Sequence, residues 1–597
     1  MPAPTLLVEF GYNKSGTDYV WNDISAYVRN VSISRGTSRE IDAYSAGSAT
    51  VILSNNDRRF DPTNTSSPYY SAGVTQIQPA GAIRITSGSG AGLVQFYGFI
   101  DNWTFDYPNQ GFDGTATVMA YDGLSNLAKA ILSTTYNSAQ YTGNRIQYIL
   151  NRTEVYWNSA LTDLDGGNST VYGDTILATD NVTVLTYLQQ VAKSEPGDFF
   201  MSRDGKATFR DRRYLTDSWA SSTTRYNFCK NPNFEVSTVN WTGGNGLSLS
   251  TAQKYLGTQS LLTNYDGISS YTFYYTETDA TKYVAGQSYI ASSYVYTATA
   301  SNTTIDISFY NGASLLTSVQ QTVVLGAATW TRIDTGTAVA PATTNKIILS
   351  VFKGLVGGQI YIDAVQIEPV ATLADYFDGT FVPANDGTKR YTSRWTALAG
   401  ISSSTLEVSA LKTTPTILTP INFSDYSGSD IPYTNVKVTY NSENLFNRIT
   451  LAKTVAPVAV VKEDTTLQDK YGMRTYGATD YLNQTDAELT GIAGELLSVY
   501  GKPELRVEQM DIQLHGLSGA NQTIVLGMDM RQLIQITFKP SRTGSQMIKK
   551  YVVIGISQNI DKAKTHTMTL TVASIDNLPF HLNSAMLGVL DTNVLSY

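Results

Sequence analysis

Alternating apolar and polar residues dominate the first 127 residues of the chain. In the stretch TLLVEF, the side chains of Leu6, Val8 and Phe10 fall on one face of an extended segment, and ATVILSN repeats the pattern. Asn–Asn–Asp and Asp–Pro steps, which favour turns, separate such segments. The pattern predicts a β domain over residues 1–127.

Helical spacing is clear in two segments. The first, VTVLTYLQQVAKS, follows an Asp–Asn pair, stops at a Pro–Gly step and is followed by an Asp–Gly hairpin signal. The second begins at a capping box formed by Thr485 and Glu488, carries one apolar stripe and ends before Gly501. We therefore expect a small α+β domain over residues 128–225 and a helix at residues 485–500.

Residues 226–405 have a different pattern of evenly spaced strands, such as SYVYTATA, TIDISFYNG and QIYIDAVQIE, separated by Gly, Asn, Ser and Thr. Such spacing is typical of an antiparallel sandwich or jelly roll. This segment is expected to fold alone and to interrupt its surroundings. After it we expect a linker at 406–430, a return to the first type of domain at 431–580 and a C-terminal tail at 581–597.

Two distant segments carry the same pattern. YGFIDNWTFDYPNQGFDGTATVMAYD and, more than four hundred residues later, IGISQNIDKAKTHTMTLTVASID both combine a glycine, a polar–Asn–apolar step, a polar turn and an alternating strand that ends at Asp. The alignment pairs Gly98 with Gly555, Asn102 with Asn559, Trp103 with Ile560, Thr115, Thr117, Val118 and Asp122 with Thr569, Thr571, Val572 and Asp576, and IRIT at 83–86 with IQIT at 534–537. The alternative is that two hairpins of an all-β protein resemble each other by chance.

The expected fold class is therefore mainly β and multidomain. It comprises two related small β-barrel or sandwich domains, a small α+β domain and an inserted antiparallel jelly roll. A duplicated domain has a physical use, because three such chains would place six quasi-equivalent units around one axis. Such a ring could connect a six-fold tube to a three-fold tip.

Composition narrows the possible functions. With 15% charged residues and a formal net charge of -8, the chain has no basic footprint for holding nucleic acid. No window holds the eighteen or so apolar residues of a membrane span, and the N-terminus does not resemble a secretion signal. The single cysteine, Cys229, excludes an internal disulfide framework.

We expect no enzyme. Tyrosine occurs 39 times and histidine only 3 times, a poor composition for acid–base chemistry near neutral pH. His515, His566 and His581 are not accompanied by a nucleophile motif or by HExxH spacing, and a structural role is favoured for His566. A glycan-cleaving protein is the competing class, since fifty Asp and Glu residues could supply the two carboxylates of a glycosidase.

The stretch VSISRGTSREIDAYSAGSATVILSNNDRRFDPTNTSSPYY resembles the opening domain of tail-tip hub proteins of long-tailed phages, the minor tail or baseplate-hub-like proteins. The matching pattern consists of Arg35-Gly36, Gly47 to Asn55, and Phe60-Asp61-Pro62. Three later stretches resemble later parts of that family in the same order: VLTYLQQVAKSEPGDFFMSRDGKATFRDR, ELTGIAGELLSVYGKPELRVEQMDIQL and YVVIGISQNIDKAKTHTMTLTV.

This resemblance implies a homotrimeric virion structural protein at the tip of the tail, assembled in the host bacterial cytoplasm. The implied partners are the distal tail protein, the C-terminus of the tape-measure protein and other tail-tip proteins. The implied ring closes the tail tube, and DNA meets it only in transit. No stable membrane insertion is expected.

The insert is similar to jelly-roll carbohydrate-binding modules of phage tail proteins in NPNFEVSTVNW, YLGTQSLLTN and IYIDAVQIEPVATLADYFDGT. Such modules place aromatic rings against the C–H faces of sugars and polar groups against hydroxyls, which would attach the tail to a host cell-envelope glycan. The candidate glycan-binding residues are Trp241, Tyr274, Tyr294, Tyr296, Asp306 and Tyr310. The alternative for each aromatic residue is packing in the core or against a neighbouring subunit.

Modules of this class often hold a structural Ca²⁺ ion, and no other cofactor is expected. Glu235 and Asp363 lie in the matching stretches and carry hard oxygen donors. The alternative is a pair of salt-bridged or solvated carboxylates. Two further function classes stay open: a receptor-binding or glycan-degrading tail enzyme with a carbohydrate-binding module, and a bacterial surface adhesin built from β modules.

Overall fold

The computed structural model describes residues 3–575 except 16–17, 40, 91, 109–111, 136–139, 159–160, 213, 220–221, 244–245, 266–271, 354–357, 382, 384–388, 399, 426–427, 429, 441, 456, 504, 541–543 and 562–564. The fold is mainly β and multidomain, as expected. Unit 1 comprises Met1–Ile146, Leu161–Ser218 and Lys412–Tyr597, and unit 2 comprises Gln147–Ala160 and Trp219–Leu411. The predicted insert falls within unit 2. None of the helices in the described ranges has the length and apolar character needed to cross a membrane.

The first strands are β1 (Leu6–Ser15), β2 (Asp18–Asp23), β3 (Val28–Gly36), β4 (Ser45–Ser54), β5 (Tyr70–Ser71), β6 (Val74–Thr75), β7 (Ala82–Ser87), β8 (Leu93–Asp106) and β9 (Thr115–Tyr121). The α+β segment that follows contains α1 (Gly123–Lys129), β10 (Thr134–Thr135), β11 (Gln140–Tyr141), α2 (Thr142–Leu150), β12 (Thr162–Leu164), β13 (Thr170–Val171), β14 (Thr175–Ile176), α3 (Val184–Lys193), β15 (Asp198–Met201) and β16 (Ala207–Arg210).

The middle of the chain contains β17 (Thr216–Trp219), β18 (Thr223–Asn227), β19 (Trp241–Gly243), β20 (Ser248–Ser250), β21 (Ser260–Tyr265), β22 (Phe273–Glu277), β23 (Ser288–Thr297), β24 (Ser301–Asn311), β25 (Ser314–Leu325), β26 (Thr331–Asp334), β27 (Ala338–Val339), β28 (Lys346–Lys353), β29 (Gly358–Glu368), β30 (Lys389–Trp395) and β31 (Ser404–Ile417).

The last part contains β32 (Ile421–Ser424), β33 (Asn435–Tyr440), β34 (Arg448–Lys453), β35 (Val460–Glu463), α4 (Thr465–Tyr471), β36 (Thr475–Tyr481), α5 (Asp486–Tyr500), β37 (Leu505–Gln513), α6 (Gly519–Leu526), β38 (Leu533–Phe538), β39 (Met547–Asp561) and β40 (Thr565–Ser574). Short 3-10 helices lie at Ser25–Tyr27, Thr153–Val155, Ala178–Asp180, Ala280–Lys282 and Leu514–Gly516.

Unit 1 contains one continuous 13-stranded sheet that includes two blocks of six strands. Block 1 has the order β1-β7-β8-β9-β4-β3, and block 2 has the order β32-β38-β39-β40-β37-β33. When the strands of each block are numbered along the chain, both orders are 1-4-5-6-3-2. The first strand differs in direction, since β1 runs antiparallel to β7 and β32 runs parallel to β38. The prediction of two related β units in one chain is confirmed at the level of strand order.

The bulges of the two blocks define which residues are equivalent. The β8–β9 ladder skips a residue between Ile100 and Asn102, and the β39–β40 ladder skips one between Val553 and Gly555. Asn102 is therefore the equivalent of Gly555. The sequence alignment, which paired Gly98 with Gly555, is wrong by four positions along this strand.

The ladder of β7 with β8 and the equivalent ladder of β38 with β39 agree with this correction. Ile83 lies opposite Gly98 and Ile534 lies opposite Tyr551, each three residues before the bulged position. The pairing of IRIT with IQIT is thus correct, whereas the pairings at Asn102 and Trp103 are wrong and those from Thr115 to Val118 are displaced by two. The pairing of Asp122 with Asp576 lies outside the described residues. The sequence was misleading because Gly98 leaves room for a β9 carbonyl and Gly555 for the segment after β3.

The two blocks are joined by antiparallel pairing of β3 with β39, which ends where Gly36 lies opposite Gly555. Gly36 has φ +104°, and a Cβ there would overlap the carbonyl oxygen of Ile554 and lie 2.5 Å from the Cα of Gly555. Beside it, Arg35 is only 4% exposed, and its Nη1 donates to Asp529 Oδ1 at 2.7 Å. The Arg–Gly motif therefore allows the close approach of the two blocks.

The remaining residues of that motif also have structural roles in block 1. Gly47 donates its N–H to Asp122 Oδ2 at 2.8 Å. The side-chain oxygen of Asn55 accepts from the backbone N–H of Phe60 at 3.0 Å, and Phe60 is buried in the block 1 core. Asp61 accepts from the guanidinium of Arg58 at 2.7 Å. These residues of the motif therefore hold the loop after β4 in place through hydrogen bonds.

The predicted helix signals are confirmed. The side chain of Thr485 caps α5 by accepting from the N–H of Glu488 at 3.2 Å, and α5 ends at Tyr500. The cap of α3 is Thr183, which accepts from Thr186 N, so this helix begins two residues later than expected.

Unit 2 contains two facing sheets with a shared core. The five-stranded sheet has the order β19-β22-β28-β24-β25, and the six-stranded sheet has the order β20-β21-β29-β23-β26 with β27 beside β23. The core between them contains Phe234, Tyr275, Tyr289, Val295, Phe309, Leu349, Ile360 and their neighbours. This is the antiparallel arrangement that the evenly spaced strands predicted.

Candidate functional site

Each sheet of unit 2 has one face in the core and one face directed away from it. In β24, Ile305, Ile307 and Phe309 are buried in the core, so Asp306 and Tyr310 lie on the other face, as the alternation predicted. We call the polar residues on this side of the five-stranded sheet the aspartate face; it comprises Tyr274, Asp306, Ser308, Tyr310, Gln320 and Ser350.

Four residues of the aspartate face form a row across neighbouring strands. Ser350 lies opposite Tyr274 on one side and opposite Asp306 on the other, and Asp306 also lies opposite Gln320. Directly opposed residues of antiparallel strands have Cβ atoms about 5 Å apart. The row therefore presents a phenol ring, a hydroxyl, a carboxylate and an amide at regular spacing.

Asp306 is the carboxylate of this face and is largely buried. Although it points away from the core, it is only 7% exposed. Among the described residues its donor is Ser308, whose hydroxyl lies 2.6 Å from Oδ2. Burial raises the pKa of Asp306, and the hydrogen bond from Ser308 opposes that rise. A carboxylate can accept about four hydrogen bonds, so Asp306 keeps acceptor capacity for hydroxyl groups of a ligand.

Tyr274 and Tyr310 contribute the half-buried rings of the aspartate face. The ammonium of Lys346 lies 4.5 Å from the ring centroid of Tyr310, a distance typical of a cation–π contact. Aromatic rings next to hydroxyl, amide and carboxylate groups match the two kinds of contact that a sugar offers.

Tyr294 and Tyr296 share a face opposite Val295, as predicted, but they belong to the six-stranded sheet. Tyr255 stacks on Tyr294 with ring centroids 3.5 Å apart and an interplanar angle of 13°, and Trp330 lies 5.6 Å from Tyr296. We call Tyr255, Tyr294, Tyr296, Trp330 and Tyr361 the tyrosine face. Because its rings cover one another, this face is packed rather than open.

Trp241 is not part of either face, and its assignment as a glycan-binding residue is wrong. It is 7% exposed and belongs to the core, where its ring lies 5.3 Å from Phe234 and 5.4 Å from Tyr275. Its indole N–H donates to the carbonyl of Asn231 at 3.2 Å. Neither its ring faces nor its donor can therefore reach a ligand.

Glu235 and Asp363 hold the same surface segment. Glu235 Oε1 accepts from the N–H of Thr258 at 2.8 Å, and Asp363 Oδ2 accepts from the N–H of Tyr255 at 2.9 Å. Burial raises the pKa of Asp363 well above its ordinary value, and the charge of Glu235 adds to this effect. Among the described residues neither carboxylate has a cationic side chain within salt-bridge distance.

Two carboxylates are a hard donor set of the kind that Ca²⁺ prefers, but the loop contacts that the structure shows for Glu235 and Asp363 are hydrogen bonds from N–H and hydroxyl groups. The described part of the chain contains no group of three or more metal-ligating side chains. A Ca²⁺ ion would therefore depend on the Glu235–Asp363 pair together with backbone oxygens.

The two described histidines, His515 and His566, belong to unit 1 and not to these faces. His566 lies in unit 1, is fully buried, and its Nε2 lies 2.9 Å from Gln558 Oε1. Burial, with a smaller contribution from His515, lowers the pKa of His566 to about 4. His581 lies outside the described residues.

Sequence reasoning missed Gln320, Ser350, Tyr255 and Trp330. Alternation in KIILSVFK places Ser350 away from the core, but only the register of β24 and β28 places it beside Asp306. Tyr255 and Trp330 lie outside strands, so no periodic signal pointed to them.

Searches of protein-family models and of curated protein sequences find no match. Among solved structures, the chain is similar to a tail protein from Neisseria meningitidis MC58, with 6% identity over 96% of this chain and 97% of that chain and a TM-score of 0.40. It is also similar to the 43 kDa tail protein of prophage MuSo2 from Shewanella oneidensis, with 8% identity over 96% of this chain and 98% of that chain and a TM-score of 0.39. A quarter of the chain (25%) is similar to 94% of the C-terminal family 22 carbohydrate-binding module of Clostridium thermocellum Xyn10B, with 18% identity and a TM-score of 0.21.

Proposed function

We propose that this chain is a structural hub protein at the tail tip of a long-tailed phage, and that three copies form a ring that closes the tail tube. The observation that supports the ring is the pair of blocks with the same strand order, 1-4-5-6-3-2, in one sheet. Three chains would contribute six similar blocks around one axis, which suits a junction between six-fold and three-fold parts of a tail. The four family-like stretches of the sequence support the same role.

In this proposal the ring contacts the distal tail protein, the C-terminus of the tape-measure protein and other tail-tip proteins, and the genome passes through it. The formal net charge of -8 suits a passage that does not retain DNA. The test is mass photometry of the purified chain together with co-purification of tail components. A species of about 195 kDa, three times 65.1 kDa, that captures the tail components is the expected result. A monomer that captures none of them would refute the hub.

We further propose that unit 2 binds a host cell-envelope glycan through the aspartate face. The supporting observation is the row of Tyr274, Ser350, Asp306 and Gln320, in which a largely buried carboxylate with spare acceptor capacity is separated from an aromatic ring by one serine hydroxyl. The tyrosine face is the less suitable surface, since Tyr255 already covers the ring of Tyr294.

Deletion of residues 228–400 separates the two proposals. We expect the shortened chain to assemble into the ring and into tails, because both blocks lie outside the deleted segment, and we expect phage attachment to host cells to fall. Loss of tail assembly would show that the insert is not peripheral.

The protein is proposed to act without catalysis. Incubation with host cell-wall polysaccharide should therefore release no new reducing ends while the polysaccharide is bound. Release that depends on Asp306 would instead support the glycan-degrading alternative. A secreted adhesin would bind glycan but would not co-purify with tail components.

A further inference from the structure

The two strands that join the blocks inside the chain have equivalents elsewhere in the blocks that are not paired with each other. Strand β3 of block 1 pairs with residues 555–561 of β39 in block 2. The equivalent of β3 in block 2 is β33, and the equivalent of that part of β39 in block 1 is the end of β8. In the described ranges β33 pairs with β37 alone, and residues 102–106 pair with β9 alone. Each of these two strands therefore has one free edge.

The ladders give the equivalence residue by residue. Met119 and Thr571 follow the two bulges at the same position, and they lie opposite Thr50 and Gln509. These in turn lie opposite Ser32 in block 1 and Lys437 in block 2. Lys437 thus corresponds to Ser32. The β33–β37 ladder skips Glu508 after Lys437, so Thr439 is matched to Ser34 by counting two residues along β33, which keeps both side chains on the same side of their strands. On the other strand, Thr104 corresponds to Ser557, since both follow the bulge by the same distance.

Burial at equivalent positions shows what the free edges lack. Val31 and Ile33 of β3, which pairs with β39, are 0% and 1% exposed in a core that includes Ile560 of β39. Their equivalents in β33, Val436 and Val438, are only half-buried, and Tyr440 at the end of that strand is 67% exposed. Equivalent positions are thus fully buried where a partner strand is present and partly exposed where it is absent.

The end of β8 shows the same difference. Ile556 and Gln558 of β39 are 1% and 3% exposed beside β3. Their equivalents Trp103 and Phe105 are half-buried. Open strand edges with apolar side chains promote pairing with another chain unless they are covered.

We propose that β33 of one chain pairs antiparallel with residues 102–106 of β8 in a second copy of this chain. The pairing repeats between chains the β3–β39 ladder within each chain, so every block contacts its neighbour in the same way. Because the two edges are different surfaces, the contact is head-to-tail and closes into a ring when its rotation allows. The inference rests on the proposed function only for the number of chains in that ring.

Charge supports this register. The internal ladder places Ser32 opposite Asn559, and the equivalent positions between chains are Lys437 and Asp106. The side chain of Lys437 is 59% exposed while it pairs with Glu508 at 2.8 Å, so it can also reach an acceptor on a neighbouring strand. Asp106 is exposed and has no ion-pair partner among the described residues. Opposite charges at directly opposed positions stabilise a strand pair.

A cross-linking experiment tests the pairing. Ser34 and Ser557 form the internal pair, with their hydroxyl oxygens 3.4 Å apart, and the proposed equivalent between chains is Thr439 with Thr104. The double variant T104C/T439C of the full chain should form covalent rings in a short thiol–thiol cross-linker, visible as trimers on denaturing gels. The native Cys229 is buried and should not react.

Matched controls distinguish the contact from random collision. The internal double variant S34C/S557C should cross-link within one chain and leave the number of chains unchanged. A mixture of the single variants T104C and T439C should give dimers only, because each chain then carries one engineered thiol. The third control is the double variant T104C/S34C. The proposal does not place these two positions opposite each other, so this variant should give no cross-linked product.

The possible outcomes separate the two proposals. Cross-linked trimers support both the pairing and the proposed trimeric ring, and a cross-linked ring of another size supports the pairing and refutes the trimer. Trimers by mass photometry without cross-linking refute the pairing and leave the hub proposal standing. A monomer without cross-linking, in a sample whose internal control reacts, refutes the pairing outright.

Discussion

The junction between the two blocks can be tested by replacing Gly36 with alanine. Gly36 has φ +104°, and its new Cβ would overlap the carbonyl oxygen of Ile554 and lie 2.5 Å from the Cα of Gly555. An L-residue in such a conformation costs about 1–2 kcal/mol, and overpacking adds about 1–3 kcal/mol. We therefore expect the free energy of unfolding of unit 1 to fall by about 3 kcal/mol.

The matched control is Gly73→Ala, in the turn between β5 and β6. Gly73 also has a positive φ, +80°, but a Cβ there meets nothing within 4 Å. This variant should lose only about 1 kcal/mol, so the difference between the two variants measures the close approach of the blocks.

Urea unfolding followed by hydrogen–deuterium exchange at residues 28–36 measures the effect. With a denaturant slope of about 2 kcal/mol/M, Gly36→Ala should lower the midpoint for this segment by about 1.5 M and Gly73→Ala by about 0.5 M. Exchange should increase on both β3 and β39, since each strand supplies hydrogen bonds to the other. Equal midpoints for the two variants would refute the account of the junction.

Three further predictions concern single residues. Because the folded-state pKa of His566 is lowered from 6.5 to about 4, the unfolded chain binds an extra proton between these values, and the free energy of unfolding of unit 1 should fall by about 3 kcal/mol as the pH falls from 6.5 to 4. His566→Gln should remove that loss in pH-dependent unfolding. Asp122, whose pKa burial raises to about 7, contributes in the opposite direction, but its contribution is common to both proteins. Calcium at one hundred times its dissociation constant should stabilise unit 2 by about 2.7 kcal/mol in calorimetry, and Asp363→Asn should abolish the stabilisation; an unchanged melting temperature in EDTA would refute the ion. Tyr310→Ala should weaken glycan binding at least tenfold on an array, whereas Tyr294→Ala should leave binding unchanged and lower the melting temperature; the reverse result would move the site to the tyrosine face.

Local patterns predicted the elements well because their causes are local. The cap at Thr485 satisfies N–H groups within its own helix, and the alternation in IDISFYN separates Ile305, Ile307 and Phe309 from Asp306 within one strand. These arrangements need no information about distant residues. The strands named in the sequence and the two predicted helices followed from such local patterns.

Register could not be predicted in the same way. A shift by two or four residues leaves the period-two pattern unchanged, so the alignment of Gly98 with Gly555 kept the alternation in phase and was still wrong by four positions. The bulges that define the equivalence are backbone features of paired strands. They leave no mark in the order of apolar and polar residues.

The candidate site had a similar limit. Alternation shows on which side of its own strand a residue lies, but it does not show to which sheet that strand belongs. Tyr294 and Tyr310 both point away from the core, yet they lie on the outer faces of two different sheets. Trp241 has the aromatic side chain expected of a sugar-binding residue, but Phe234 and Tyr275 cover it.

The route by which the chain enters and leaves unit 2 explains how one polypeptide can combine a duplicated sheet with an unrelated module. The entering strand β18 and the leaving strand β31 pair antiparallel from Thr223–Val408 to Asn227–Ser404. A module whose two connections lie side by side requires only a short gap in its host, as in other inserted domains. A block of six strands can therefore keep its order whether or not the module is present. If the proposed ring forms, replacing the module should leave its contacts unchanged, because β8 and β33 lie outside unit 2.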